Sequence, residues 1–254
     1  MSKWRPSNHN IYVIPDIHGQ LDSLTLILDR ILPLKKKDPK DKIIFLGDYI
    51  DRGFKSPELL DLLIDLKEKY KDQVIFLRGN HEQMLLNALK PHHNSDKYLF
   101  WMRNGGENTL FSYLEKAKAN IDNPYILPRN RIADYIPKNH LDFLNSLDYY
   151  YELDNFFFVH GGMDPTEHPS LQAGEVLMWD RSLYIYMASN PGYEAPWEKC
   201  IVTGHNSEFE DPLILNKFIM LDSSSCGRLN VLELNSRTGF YAKPGKKRLI
   251  KMAI

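Results

Sequence analysis

The first ninety residues repeat one pattern three times: a short apolar run, a polar loop, and then apolar residues at helical spacing. The runs lie at 11–14, 42–46 and 74–77, and each has the length and apolar content of a buried strand. Strand, loop and helix in this repeated order predict a largely parallel sheet. The helical positions are Leu21, Leu24, Leu28 and Ile31 after the first run, and Leu59, Leu62, Leu63 and Leu66 after the second, where Ser56 is the expected N-cap residue.

A helical block and further strands make up the rest of the chain. Between 91 and 150, large apolar residues flank the break Asn104-Gly105-Gly106 and predict a helical pair, and 137–147 predicts one more helix. We interpret this block as a helical insertion in a single domain that covers residues 1–254. Strands are predicted at 156–159, 201–203, 218–222, 229–234 and 240–242.

Composition and charge are those of a soluble intracellular protein. The formal net charge of −1 leaves no basic footprint for nucleic acid, and no apolar run approaches the roughly 20 residues that span a bilayer. Cys200 and Cys226 are the only cysteines, too few for a disulfide framework, and residues 1–10 lack the apolar core of a secretory signal. We therefore expect a cytoplasmic monomer that binds neither nucleic acid nor membranes.

Side chains able to bind a metal ion follow five of the apolar runs. The carboxyl ends of strands are where α/β sheets place their ligands. One Asp-x-His string would be weak evidence, because a helix N-cap followed by a surface histidine has the same sequence. Five such loops favour a metal site. The candidate ligands are Asp16, His18, Asp48, Asn80, His160 and His205.

The size of this set indicates two ions. Two carboxylates, one amide oxygen and three imidazoles exceed what one four-coordinate zinc needs. They suit two metals that share a carboxylate, about 3.5–4 Å apart. Manganese is the expected metal, although iron and zinc accept the same ligands.

The loops also form recognisable motifs. They are Pro15-Asp16-Ile17-His18-Gly19, Gly47-Asp48-Tyr49-Ile50-Asp51-Arg52-Gly53, Gly79-Asn80-His81-Glu82, His160-Gly161 and Gly204-His205. Together they resemble, in family order, the signature motifs of the PPP family of phosphoprotein phosphatases, which belongs to the calcineurin-like metallophosphoesterases. The resemblance implies an α/β fold of four layers, in which two central mixed β-sheets are flanked by helices and a dimetal site lies at one sheet rim.

The resemblance also implies a role for each matching position among the metal ligands. Asp16 and His18 would bind the first ion, and Asp48 would bridge both ions. The second ion would be completed by Asn80, His160 and His205.

Other matching positions are implied to act on the substrate. His81 matches a general acid, and Asp51 would orient its imidazole. Arg52 matches a phosphate-binding arginine, and Arg181, in the string Trp179-Asp180-Arg181, resembles the second such arginine of bacterial and phage members. Asn80 is counted among the substrate-binding residues as well as the metal ligands.

Two features depart from the family pattern. Pro15 stands where the first motif usually begins with glycine, although no metal ligand is lost. The eukaryotic C-terminal signature with its active-site tyrosine is absent, and residues 221–227 are closer to the bacterial pattern. We therefore expect a bacterial or phage type of serine/threonine phosphatase without eukaryotic regulatory subunits.

The leading hypothesis is a phosphomonoester hydrolase that acts on phosphoserine and phosphothreonine in proteins, and on phosphotyrosine as a further substrate. Two metals would lower the pKa of a bridging water, so that hydroxide attacks phosphorus in line. A positively charged pocket would favour the transition state. One alternative is a symmetrical diadenosine tetraphosphate hydrolase, which resembles the same core. Another is a catalytically silent metal-binding or scaffold protein.

Simpler explanations exist for several of these residues. Asp51 could cap a turn, and Arg181 could be a surface residue. Trp101, with the glycine break after it, could line a substrate groove or only pack the insertion. Glu82 is expected as a helix-start residue favoured by the helix dipole. Surface or loop positions are expected for His9, His92, His93, His140 and His168.

Overall fold

Eleven strands and nine α-helices occupy the described part of the chain. The structure, a computed structural model, describes residues 9–35, 38, 40–90, 95–119, 127, 129–164, 166–190, 199–215 and 217–252. The strands are β1 Ile11–Ile14, β2 Lys42–Phe45, β3 Val74–Phe76, β4 Tyr150–Leu153, β5 Phe156–Val159, β6 Cys200–Thr203, β7 Leu213–Leu215, β8 Phe218–Met220, β9 Leu229–Glu233, β10 Thr238–Ala242 and β11 Ile250–Lys251. The helices are α1 Leu21–Lys35, α2 Ser56–Tyr70, α3 Asn80–Ala88, α4 Ser95–Trp101, α5 Glu107–Lys116, α6 Arg129–Ile132, α7 Lys138–Asn145, α8 Gly174–Trp179 and α9 Ser182–Ser189.

These strands form two mixed sheets. β1, β2 and β3 pair in parallel, as the repeated pattern predicts, and β9, β10 and β11 extend the first sheet through antiparallel pairs. In the second sheet β5, β6 and β8 are parallel, and β4 and β7 pair antiparallel at its edges. The strand orders are β11-β10-β9-β1-β2-β3 and β4-β5-β6-β8-β7. The predicted α/β fold with two mixed sheets is confirmed.

Alternate residues of the central strands bury opposite faces of each sheet. Ile11 and Val13 of β1 belong to the same buried cluster as Phe156 and Phe158 of β5, between the two sheets. The intervening residues of β1 pack with α1 and α2, and those of β5 pack with α8 and α9. The order of layers is therefore helices, sheet, sheet, helices. Burial on both faces explains why these runs are continuously apolar and do not alternate with polar residues.

Parallel pairing brings the candidate loops to common sheet edges. Ile14 is the register partner of Phe45, and Phe45 is the partner of Phe76, so β1, β2 and β3 end together. β5 and β6 are likewise in parallel register, with Phe158 opposite Val202. The loops after these five strands are the ones that carry the predicted motifs.

Between β3 and β4 the described chain is mainly helical, as predicted. α4 runs into a wide turn, Met102–Gly106, in which Asn104 and Gly105 leave the helical region, and α5 follows. The predicted helix at 137–147 is α7. The interpretation of this block as an insertion in a single domain stays a prediction. No helix in the described ranges is long and apolar enough to cross a lipid bilayer.

The sequence prediction was wrong at one helix start and missed three strands. The N-cap residue of α2 is Lys55, and Ser56 already lies inside the helix. Ser56 is fully buried, and its hydroxyl lies 3.1 Å from Thr109 Oγ1, so it joins two helices instead of closing the helix end. β4, β7 and β11 were missed because they are short and only partly buried edge strands.

His140, expected at the surface, is fully buried and connects three helices. Its Nδ1 is 2.7 Å from the hydroxyl of Tyr113 on α5, and its Nε2 is 2.8 Å from Oδ1 of Asp61 on α2. A signal was present, since Phe143 and Leu144 follow it at helical spacing on the buried face of α7. His168 is exposed as expected, and residues 92 and 93 lie outside the described ranges.

The substitution Tyr113→Phe tests this connection, because it removes the hydroxyl and keeps the ring. It leaves a ring nitrogen of His140 buried without its partner, so we expect the free energy of unfolding to fall by about 1–3 kcal/mol. Urea denaturation followed by circular dichroism measures the change. The control is Tyr150→Phe, at a tyrosine 38% exposed on β4, which should change stability by less than about 0.5 kcal/mol. Equal stability of Tyr113→Phe and wild type would contradict the expectation.

Candidate active site

The loops at the sheet edges bring the six predicted metal ligands into one buried cluster. Asp48 lies at its centre, with Oδ2 3.6 Å from His18 Nε2 and Oδ1 3.4 Å from His160 Nε2. Asp16 closes the cluster on one side. Its Oδ2 is 3.9 Å from His18 Nε2, and its Oδ1 accepts the backbone N–H of His205 at 2.9 Å.

Hydrogen bonds to backbone carbonyls orient two of the imidazoles. Nδ1 of His18 donates to the carbonyl of Ile50 at 2.9 Å, and Nδ1 of His160 donates to the carbonyl of Leu46 at 3.0 Å. In each ring Nδ1 therefore carries a proton, and Nε2, which points into the cluster, is the nitrogen left to bind a metal ion, an arrangement typical of metal-binding histidines. Nε2 of His18 and Nε2 of His205 are buried and have no hydrogen-bond partner among the described residues.

Two acceptor oxygens face the imidazole of His160. Its Nε2 lies 3.0 Å from Oδ1 of Asn80 and 3.4 Å from Oδ1 of Asp48. Burial alone would lower the pKa of His160, but Asp48 and Asp16 outweigh it and raise the pKa to about 10. A lone pair facing two oxygens requires either a proton or a cation between them, and a divalent ion at this position would displace the proton.

The pKa values of three other candidate ligands also favour binding of a cation. Burial lowers the pKa of His18, and it lowers that of His205 to about 3, so both imidazoles are neutral. Burial, and then the neighbouring Asp222, raises the pKa of Asp16. Neutral imidazoles with free lone pairs beside closely spaced carboxylates are the forms that bind metal ions. The residues present therefore fit a divalent metal.

Two groups of ligand atoms share Asp48. One consists of His18, Asp48 and His81, and the other of Asp48, His160 and His205. The ligand atoms within each group lie within 4.8 Å of one another. The two groups thus mark two adjacent positions for a cation that share Asp48. The first group includes His81, which was predicted as an acid and not as a ligand, and the predicted ligand Asp16 belongs to neither group.

The loops of the site have unusual backbone angles and leave little space around the carboxylates. A Cβ on Gly79 would lie 2.1 Å from Oδ1 of Asp48, and one on Gly204 would lie 2.4 Å from Oδ1 of Asp16, so only glycine leaves room for the carboxylates. Non-glycine residues with positive φ are uncommon and concentrate at functional sites. Five predicted site residues are in this conformation: His18, Asp48, Asp51, Arg52 and His205.

Glu82 holds the strained loop in position. Its buried carboxylate accepts the backbone N–H groups of Asp48 and Gly79 at 2.9 Å each, and those of Tyr49 at 2.8 Å and Ile50 at 3.4 Å. Burial, reinforced by Asp48, raises the pKa of Glu82 to about 7. Glu82 is in the first turn of α3, as predicted, but its side chain also fixes the backbone that presents Asp48.

His81 and Asp51 are in direct contact. Nδ1 of His81 lies 2.8 Å from Oδ2 of Asp51. The other carboxylate oxygen accepts the hydroxyl of Thr109 at 2.8 Å and the indole N–H of Trp101 at 3.0 Å. Burial would lower the pKa of His81, but Asp48 and Asp51 outweigh it and raise the pKa. The side chain of Asp51 therefore reaches His81 and does not cap a turn.

The two predicted phosphate-binding arginines differ in position. Nη2 of Arg52 lies 3.2 Å from Nε2 of His81, directly beside the acid pair. Arg181 lies at the rim, with its side chain 53% exposed and Nη1 3.6 Å from a carboxylate oxygen of Glu208. The sequence predicted both residues, but only Arg52 contacts another predicted site residue through a hydrogen bond.

A groove of about 780 Å³ adjoins the cluster. Phe100, Trp179 and Met178 line it, and the Trp179 ring lies 6.2 Å from that of His205. Trp101 at the end of α4 is fully buried and is not among the residues that line this groove. Neither interpretation left open for Trp101 is complete, because its buried indole N–H also contacts the carboxylate of Asp51.

Some residues of the site were not predicted in these roles. Asp222 follows β8, so it carried the same signal as the other ligands: a carboxylate after an apolar run. Thr109 and the buried position of Trp101 had no local signal, because their contacts with Asp51 span 58 and 50 residues of sequence.

Comparison with protein-family models matches residues 9–215 to the calcineurin-like phosphoesterases. The chain belongs to the calcineurin-like phosphoesterase family. The match confirms the resemblance seen in the motifs, and it assigns the chain to a family of phosphoester hydrolases that use divalent metals.

The names of similar proteins point to different substrates. A PP2A-like serine/threonine-protein phosphatase of Candida albicans is 43% identical over 78 residues, which are 31% of this chain and 18% of that protein. A cold-active protein-tyrosine phosphatase of a psychrophilic Shewanella has a TM-score of 0.57 at 20% identity, covering 97% of this chain and 81% of that one. A provisionally assigned diadenosine tetraphosphatase has a TM-score of 0.57 at 16% identity, covering 94% and 95%.

These likenesses carry different weight. At 16–20% identity, the structural matches establish the fold alone. The chain spans about a fifth of the length of the curated relatives it matches. The substrate of this phosphoesterase therefore has to be argued from its own residues.

The substitution Glu82→Gln tests the loop support. An amide nitrogen cannot accept a hydrogen bond, so at least one loop N–H loses its partner, and we expect the free energy of unfolding to fall by about 1–3 kcal/mol. The amides of Asp48 and Tyr49 should exchange hydrogen faster, as measured by NMR. Glu115→Gln, at an exposed position on α5, is the control. Unchanged exchange in Glu82→Gln would show that the loop does not depend on this carboxylate.

Proposed function

We propose that this phosphoesterase hydrolyses phosphoserine and phosphothreonine in proteins, and phosphotyrosine as a further substrate, with two divalent ions bound around Asp48. The observation that carries the proposal is the position of Asp48. It is shared by two groups of ligand atoms, and its Oδ2 lies 3.7 Å from Nε2 of His81. Nδ1 of that imidazole contacts Asp51, and its Nε2 lies 3.2 Å from Nη2 of Arg52.

Each ion has a set of candidate ligands. Manganese is the proposed metal, since its preferences match these oxygen and imidazole groups, and iron and zinc accept the same set. The bound ions would lower the pKa of water, so that hydroxide is present near neutral pH and attacks phosphorus directly. Asp16, His18 and Asp48 would hold the first ion, and Asp48, Asn80, His160 and His205 would hold the second.

Arg52, Arg181 and Asn80 would bind the phosphate. Phosphate is a strong hydrogen-bond acceptor, so the guanidinium of Arg52 would leave Nε2 of His81 for the phosphate oxygens. Nε2 would then be free to carry the proton that the raised pKa of His81 favours. Asn80 directs its oxygen to His160, which leaves its amide N–H groups for the substrate. Arg181 would exchange its contact with Glu208 for a phosphate oxygen.

His81 would then protonate the leaving group. When the bond from phosphorus to the serine oxygen breaks, its electron pair stays on that oxygen, which takes the proton from Nε2 of His81. Asp51 accepts the N–H at Nδ1 and keeps the ring in this orientation. General acid catalysis of this kind contributes about 10²–10⁴-fold.

A diadenosine tetraphosphate hydrolase is the second candidate. It is supported by the fold shared with the provisionally assigned diadenosine tetraphosphatase. The aromatic groove beside His205 would hold an adenine ring in that case, and a peptide side chain in the first. A cytoplasmic location and a monomeric state remain predictions from the sequence.

A side-by-side phosphate-release assay tests the proposal. The metal-stripped protein should be inactive, and reloading with Mn²⁺ should restore hydrolysis. Phosphoserine, phosphothreonine and phosphotyrosine peptides and diadenosine tetraphosphate are compared at equal concentration, and we expect the peptides to be preferred. Preference for the dinucleotide would replace the first candidate by the second. Retained metal without hydrolysis of any ester would identify a catalytically silent protein.

The acid role of His81 predicts a dependence on the leaving group. His81→Asn should lower kcat for a phosphoserine peptide by about 10²–10⁴-fold. It should lower kcat for p-nitrophenyl phosphate much less, because nitrophenolate leaves without a proton. Steady-state kinetics at saturating Mn²⁺ gives both values. Equal losses on the two substrates would count against the acid role.

A further inference from the structure

Residues 101–109, which we name the clasp, hold the loop that carries Asp51 and Arg52. The indole N–H of Trp101 lies 3.0 and 3.1 Å from the two carboxylate oxygens of Asp51. Thr109 Oγ1 accepts the backbone N–H of Asp51 at 2.8 Å and donates to its Oδ1 at 2.8 Å. The clasp therefore binds both the backbone and the side chain of Asp51.

The clasp also binds the neighbouring residue. The carbonyl of Gly105 accepts the backbone N–H of Arg52 at 3.1 Å, and the amide of Asn108 donates to the Arg52 carbonyl. Gly105 has φ +98°, and a Cβ there would lie 2.8 Å from the Arg52 nitrogen. Both the backbone angle and the contact distance require glycine at this position.

The glycine turn makes the double contact with Asp51 feasible. In a straight α-helix, eight residues advance by about 12 Å, so the side chains of Trp101 and Thr109 would be too far apart to reach one carboxylate. The break at Asn104 and Gly105 brings them together. The glycine break noted in the sequence thus places two hydrogen-bond donors, the Trp101 indole and the Thr109 hydroxyl, beside the carboxylate of Asp51.

Burial makes these donors necessary. Asp51, Trp101 and Thr109 are each 0% exposed, so water cannot solvate the carboxylate. With His81, the two clasp residues supply the hydrogen bonds that a buried carboxylate requires. A carboxylate whose oxygens are occupied in this way cannot rotate, and its direction sets the direction of the His81 ring.

We propose that Trp101 and Thr109 are positioning residues for the leaving-group acid: they fix Asp51 so that Nε2 of His81 faces the departing oxygen. This inference rests on the proposed function. Among the described residues, the side chains of Trp101 and Thr109 bind Asp51 and form no hydrogen bond with the six candidate metal ligands. Loss of these two side chains should therefore lower proton transfer without lowering metal binding.

The test compares Trp101→Phe and Thr109→Val with the wild-type Mn²⁺ enzyme on two substrates. For a phosphoserine peptide, kcat should fall about tenfold or more, a part of the roughly 10²–10⁴-fold that a positioned acid contributes. For p-nitrophenyl phosphate, kcat should stay within about threefold, and KM should stay within about twofold on both substrates. Thr109→Ser, which keeps the hydroxyl, should restore the peptide activity of Thr109→Val.

Two comparisons separate positioning from general damage. Ser112→Ala removes another buried hydroxyl of α5, which donates to the Thr109 carbonyl at 2.8 Å, and it should leave both activities unchanged. In a His81→Asn background, Thr109→Val should cost nothing further on the peptide, because the acid that it positions is already absent. If Trp101→Phe does not fold, the Thr109 series decides alone.

Defined outcomes overturn the inference. Equal loss on both substrates, failure of Thr109→Ser to restore activity, or a further loss in the His81→Asn background would each show a structural role only. A failure of the proposed function looks different: the wild type would not hydrolyse the peptide, or His81→Asn would affect both substrates equally. That result would remove the acid assignment and this inference with it.

Discussion

The buried carboxylate of Asp48 is the constraint on which the rest of the site depends. Ring nitrogens of His160, His18 and His81 lie 3.4, 3.6 and 3.7 Å from it, and these residues come from loops of both sheets. A buried carboxylate is costly unless it is paired, so the loops cannot move apart independently. The carboxylate of Glu82 accepts backbone N–H groups of the loop that carries Asp48. Removal of either carboxylate would leave several buried groups without partners.

The free-energy cost of the strained backbone at the site has to be offset by the rest of the fold. A residue held in an unfavourable backbone conformation costs of the order of 1–3 kcal/mol. Five such residues would together approach the whole net stability of a typical domain, about 5–15 kcal/mol. The apolar layers on both faces of each sheet, and the hydrogen bonds of Glu82 and Thr109 to the loop between them, therefore have to offset this cost. The site lies at the edges of the sheets, where the apolar layers end.

The sequence was most informative where local order decides structure. Apolar runs followed by polar loops predicted β1, β2, β3, β5 and β6, and the side chains after them meet in one cluster. The sequence was less informative where a contact joins segments that are far apart along the chain. The partners of Glu82, and the burial of His140 against Asp61, depend on how helices pack, and a single sequence does not state that packing. Ser56 shows the same limit, because a serine before proline is an ordinary N-cap signal, yet here tertiary packing buries it against Thr109.

Two separate parts of the chain act on the loop at 47–53. Glu82 holds its first half, which presents Asp48, and the clasp holds its second half, which presents Asp51 and Arg52. The first half presents Asp48 to the other candidate metal ligands, and Asp51 in the second half contacts His81. Because the clasp belongs to the helical block between β3 and β4, changes in that block would, under the proposed function, alter protonation of the leaving group while the sheet loops keep the candidate metal ligands in place. The two halves of this loop thus have separate supports, one beside the candidate metal ligands and one beside His81.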